Sequence, residues 1–121
     1  MEATLIAAQI ILALGIANVW IVRAAKPTAY RGGDAQNLKE EFESYGLPGG
    51  FMRLIGAAKL VLAAALVVGI WVPQIVQPAA IGMAVLMVGA IAMHVKVKDP
   101  PLKALPATAM LALSVFVAVF N

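Results

Sequence analysis

Cysteine is absent, histidine occurs once, and charged side chains make up only 12% of the 121 residues. Each scarcity removes a class of chemistry. Without cysteine there are no disulfides, no thiol redox couple and no zinc–thiolate site. With one histidine, a single chain offers neither bis-histidine haem ligation nor a histidine-rich metal site. Charge at about half the roughly 25% of soluble proteins is too little to keep the surface of so small a chain in water. Acidic residues are scarcest where it matters: none of the six falls inside a long apolar run. That sets aside a cation–proton exchanger, which shares an intramembrane carboxylate between its substrate and the proton. No glycine-rich fingerprint in a strand–turn–helix context marks a flavin or nucleotide site. Ser114 has no histidine or carboxylate in its own run to activate it. The sequence therefore offers no complete catalytic set and no cysteine- or histidine-rich metal site.

Apolar residues, in contrast, reach 63%, against roughly 45–50% in soluble proteins. Four long runs hold most of them, at residues 3–22, 54–72, 79–95 and 102–120. Each has about 17–21 residues, which at 1.5 Å per residue matches a hydrocarbon layer of roughly 30 Å. Lipid gives the backbone no hydrogen-bond partners, so each run is expected to be a helix. The expected fold is all-α and integral to the membrane. It is a single domain over residues 1–121, a four-transmembrane-helix bundle with a short interfacial amphipathic helix in the first loop. Glu2 and the lack of a basic n-region lead to the expectation that the first run is a retained span, although Ala24-Ala25 resembles a weak cleavage site.

The basic residues give the orientation. Arg23, Lys26, Arg31, Lys39 and Arg53 lie in the first loop, and Lys96, Lys98 and Lys103 lie in or beside the third. The N-terminus, the middle turn around Pro73 and Pro78, and the C-terminus carry none. The positive-inside rule then puts loops 23–53 and 96–101 in the cytoplasm and both termini outside a cell membrane. With the positive charge assigned to membrane-flanking loops, nucleic acid is not an expected partner. Trp20 is placed near the inner boundary and Trp71 near the outer one, where indoles favour the interface.

Within the first loop, Leu38, Phe42 and Tyr45 recur at i, i+4 and i+7, which predicts a short helix over about residues 37–45 with one apolar stripe. Asn37 with Glu40 three residues on has a capping-box pattern, and Gly46, Pro48 and Gly49-Gly50 are expected to stop the helix. Such a helix either lies flat in the interface or forms a lid over the cytoplasmic mouth, with Glu40, Glu41, Glu43 and Tyr45 as lid residues.

Polar residues inside the runs point to a site, because each needs a partner, water or a route to the interface. Lys59 is expected about 10 Å into the second span, counted from Met52. His94 leaves the third span on the same side of the membrane, and Asn18 approaches that side in the first. Lys59, His94 and Asn18, with Arg53 at the start of the second span, are the candidate ligand-binding residues; the alternative is that Lys59 snorkels to the interface and His94 caps the last turn of its span. Nine steps of 100° separate Gln9 from Asn18, which puts them on opposite faces. With Asn18 turned inward, Gln9 is expected to face outward, towards water or a second copy, and this favours a homodimer or a larger membrane-protein partner. Gly82 and Gly89 are read as a close-packing surface.

The order and spacing of several short motifs resemble the DoxX-like family of small four-span membrane proteins. These are Glu41-Phe42 and Tyr45-Gly46-Leu47-Pro48 before the second span, and Arg53 followed by Gly56 within it. Pro73, His94 and Asp99-Pro100 complete the pattern. The family usually has a glutamate three residues after the glycine matching Gly56, and Lys59 stands there instead. The resemblance implies the four-span fold. It also implies a link to quinone, since some relatives are membrane subunits of quinone-dependent thiosulfate oxidation or redox defence, while others resemble assembly chaperones. Three functional expectations result. The first is a non-catalytic accessory or partner-binding subunit with a small polar cavity. The second is a subunit binding a quinone or other lipophilic ligand, and the third is a small-molecule transporter.

Overall fold

A computed structural model describes residues 2–22, 32, 35–47 and 49–121. The expectations that rest on Arg23, Lys26, Arg31 and Pro48, and on the side chain of Leu38, lie outside the described residues. Every regular element among the described residues is helical. Helix α1 covers Glu2–Ala17 and runs into a π-helical turn at Asn18–Val22. The short helix α2 covers Leu38–Ser44, α3 Gly49–Val68, α4 Val76–Lys96 and α5 Leu105–Phe120. Single 3-10 turns at Pro73–Ile75 and Pro101–Ala104 lead into α4 and α5, each with proline in its first turn, where the missing N–H costs nothing.

The four long helices pack in a closed ring, α1 on α3, α3 on α4, α4 on α5 and α5 back on α1. Each contributes a fully buried apolar side chain to the shared core, among them Leu12, Leu66, Met83 and Val117. Among the described residues, three helical stretches are long and apolar enough to cross a membrane, Glu2–Ile21, Pro73–Lys96 and Pro101–Phe120. Their outer faces carry Leu14, Val85, Val119 and other large apolar side chains in the open. In lipid such faces cost nothing, and the bundle is held by close packing and by hydrogen bonds between helices, not by escape from water.

Two glutamines supply those bonds at the end of the bundle where α3 and α5 finish. Ile70 N–H bonds to Val67 O and so leaves Leu66 O, in the last turn of α3, without its helical partner. Gln9 on α1 donates its amide to that carbonyl at 2.8 Å. Gln77 on α4 does the same for Ala118 O near the end of α5, at 3.0 Å. These are the orphan carbonyls that every helix end must satisfy. Gln9 is 3% exposed, which corrects the expectation that it faces outward. Asn18 is the exposed member of that pair. The argument for pairing drawn from an outward Gln9 falls with it.

Other boundaries shift for local reasons. Gly49 and Gly50 do not end α2; they open α3, which starts five residues before the expected span and ends at Val68. Gly82 does lie against a neighbour, since a Cβ there would stand 3.2 Å from Leu62, but Gly89 has nothing within 4 Å of its Cβ position. Only the first of the two glycines is a packing surface.

Candidate functional site

Starting α3 at Gly49 puts Lys59 about 15 Å along the helix, half-way down and deeper than the sequence count placed it. Its side chain is 8% exposed. Among the described residues its ammonium meets no hydrogen-bond acceptor and no carboxylate in ion-pair contact. What it has is the face of Trp20, with Nζ 5.1 Å from the ring centroid. Cation–π attraction partly offsets desolvation, but it leaves three N–H donors unanswered. The π-helical turn at Asn18–Val22 carries the Trp20 ring; such turns add a residue to the helical circuit and so re-aim the side chains beyond them. Gly56, one turn before Lys59, makes room, because a Cβ there would lie 2.6 Å from two Trp20 ring carbons. Trp20 is thus a wall of the site, where the sequence placed an interfacial anchor.

Lys59 faces a cavity of about 720 Å³ between the long helices, on the α2 side of the central Leu12 layer. Most of its wall is apolar, from Ile16, Phe51, Ile55, Met87, Met93 and Met110, with Gly89 leaving space on α4. Its polar lining comes from Asn18, Glu41, Tyr45, Lys59, His94 and Lys103. This is the pattern of small-molecule sites: a few hundred to about a thousand Å³, mainly apolar, with a few placed polar groups.

Helix α2 roofs the cavity through its aromatics. Asn37 caps the helix as expected, its side chain accepting from Glu40 N–H at 2.8 Å and donating to the Glu40 carboxylate at 2.9 Å. That arrangement turns Phe42 and Tyr45 inward and leaves Glu40 and Glu43 exposed. Phe42 meets Trp20 edge-on at 5.9 Å, and Tyr45 meets His94 edge-on at 6.0 Å, so an aromatic arch runs from α1 over α2 to α4. The Tyr45 hydroxyl donates to Glu41 at 2.9 Å. Lys96 donates to the Tyr45 carbonyl at 2.7 Å, tying the end of α2 to the end of α4. Of the acidic residues of α2, Glu41 borders the cavity, and its charge acts on Lys59 without an ion pair between them.

His94 is held from behind. Helix α4 ends in a Schellman motif, with Asp99 N–H bonded to His94 O, Lys98 N–H to Val95 O, and Lys98 left-handed at φ 57°. This reversal folds Asp99 back so that its carboxylate meets His94 Nδ1 at 2.8 Å, with Lys103 3.8 Å from the other oxygen. The Asp99 side chain is 5% exposed. A carboxylate accepts and does not donate, so Nδ1 carries a hydrogen, and in the neutral imidazole Nε2 keeps its lone pair. The carboxylate thereby fixes the tautomer.

Of the four sequence candidates, Lys59 and His94 share the cavity wall, Asn18 sits on its exposed rim, and Arg53 is exposed and outside it. Trp20 and Asp99 were missed as site residues. A tryptophan two residues past an asparagine carries no sequence signal for cation–π contact. The Asp99-Pro100 pair next to a helix-ending histidine was visible, but its return to His94 depends on the Schellman turn. Ser114 donates its hydroxyl to Met110 O at 2.8 Å, an ordinary back-bond within the helix.

A family model described as the DoxX-like family matches residues 3–117. No curated protein and no solved structure matches the chain.

Proposed function

The chain belongs to the DoxX-like family of membrane proteins, and from that premise we propose that it is a four-span protein that binds one lipophilic molecule in the cavity under α2. The observation that carries this reading is Lys59: a buried ammonium without an acceptor among the described residues, facing a cavity of about 720 Å³. Burying a charge this way is costly unless something answers it, and an oxygen of a bound molecule would. The cavity beside this group favours the ligand-binding reading over the purely accessory one. A quinone, which the family resemblance implies, or its hydroquinone form fits in kind, since its oxygen accepts from Lys59 while its ring and tail take the apolar wall.

The fourth span in this reading is α3, whose 20 residues cover about 30 Å at 1.5 Å per residue. The lysine and arginine distribution puts loops 23–53 and 96–101 in the cytoplasm, with α2 at that interface and the cavity opening towards it. Reporter tags on both termini test the orientation: they should report outside, and a cytoplasmic signal overturns it.

Binding itself is tested on protein purified from its own membrane. An organic extract, analysed by mass spectrometry, should contain one lipophilic species near equimolar with the chain, and Lys59→Met should lose it. An empty extract, together with no saturable binding of a quinone analogue, sinks the reading. A stoichiometric larger protein in place of a small molecule would restore the accessory reading.

A further inference from the structure

Resting on the ligand-binding reading above, we infer that the cavity selects lipophilic molecules whose polar end carries a hydroxyl hydrogen, and not those that can only accept. Two groups set this polarity. Lys59 is a pure donor and asks for an oxygen lone pair. His94 asks for the opposite. Its Nδ1–H is committed to Asp99 at 2.8 Å, so the neutral imidazole has an acceptor, Nε2, left over. His94 is 7% exposed, lines the same cavity as Lys59, and has no second hydrogen-bond partner among the described residues. A buried acceptor left unpaired carries a desolvation cost, and a donor hydrogen on the ligand removes it.

The remaining polar groups on the wall, Glu41 among them, are engaged with one another or stand at the rim. The Tyr45 hydroxyl donates to Glu41, Lys103 stands beside Asp99, and Asn18 is on the exposed rim. A molecule with both an acceptor oxygen and a hydroxyl answers Lys59 and His94 together. A ketone, ester or ether of the same bulk answers Lys59 and leaves Nε2 bare. A phenol, alcohol or hydroquinone type of head is therefore the preferred class. Asp99, which touches no ligand here, is the positioning residue that fixes this choice.

The test compares two probes of nearly equal bulk, para-octylphenol and its methyl ether para-octylanisole, titrated into the full chain in lipid nanodiscs. Trp20 emission reports binding at the wall of the cavity, with Trp71→Phe removing the other indole, which is 76% exposed. The phenol should saturate, and the ether should bind about tenfold more weakly, the loss of one hydrogen bond to a buried acceptor. In His94→Phe the two probes should converge to within about twofold. Equal binding of both probes to the unaltered protein overturns the inference and leaves the ligand-binding reading standing. Selectivity that persists in His94→Phe also overturns it, by removing His94 as its source. Saturation by neither probe overturns it too, and with an empty native extract the ligand-binding reading falls as well.

Discussion

The ammonium of Lys59 stands 5.1 Å from the centroid of the Trp20 indole, and this one contact joins α3 to the π-helical turn that ends α1. It holds a charge in the bundle interior without neutralising it. A desolvated cation–π contact is worth about 2 kcal/mol, less than the several kcal/mol per ion that burial costs. The residue is therefore better suited to binding than to stability, and its replacement separates the two.

Lys59→Met keeps the length of the side chain and removes the charge. The variant should fold, with a thermal unfolding midpoint in detergent equal to or above that of the parent, because the buried ammonium and its desolvation penalty leave together. Ligand retention should be lost. A fall in stability of more than about 2 kcal/mol would instead make Lys59 a structural group.

Gly56→Ala places a methyl group 2.6 Å from two carbons of the Trp20 ring. The ring must move, since an aromatic wall has no flexible end to yield. Overpacking of this kind costs about 1–3 kcal/mol, against about 1 kcal/mol gained in helix propensity. A net loss of thermal stability and a shift in Trp20 emission, read in a Trp71→Phe background, are the expected outcomes.

Gln9→Leu removes the donor to Leu66 O in the buried end of α3. The carbonyl is left orphaned where no water reaches it, and the variant should lose about 1 kcal/mol. Gln77→Leu is the control. Its bond to Ala118 O is exposed, water replaces it, and stability should stay within about 0.5 kcal/mol. Chemical denaturation of the two variants side by side distinguishes them.

Lys98→Gly relieves the left-handed residue in the turn after α4, where φ is 57°. An L residue there costs about 1–2 kcal/mol, part of which is offset because glycine gains freedom in the unfolded chain. The variant should be stabilised by about 0.5–1 kcal/mol in thermal unfolding, with ligand retention unchanged because Asp99 keeps its place against His94.

Much of the architecture could be read from composition and periodicity. Apolar runs of bilayer length have one backbone solution in lipid, so the helices at the positions of all four runs were legible, as was the capped helix beginning after Asn37. Helical angles were less dependable. They separated Gln9 from Asn18 correctly, but not which of the two turns inward, because that depends on which neighbour has an unsatisfied carbonyl. The glycine pair at 49–50 was read as a stop because glycine ends helices and also tolerates their first turn, and a single sequence does not distinguish the two.

The sequence by itself determined the membrane class and set a lysine and a histidine from different runs toward one side of the bundle. Those follow from local rules: hydropathy, missing residue types and helical rise. Only the tertiary structure decided that Lys59 lies on Trp20, that Asp99 folds back to His94, and that the space between them is a cavity and not packed side chains. Each of these depends on how separate segments meet, through a π turn, a Schellman motif and a ring of four helices closing around an incomplete core. No spacing along one chain records such meetings, because they are set by the faces that the other helices present.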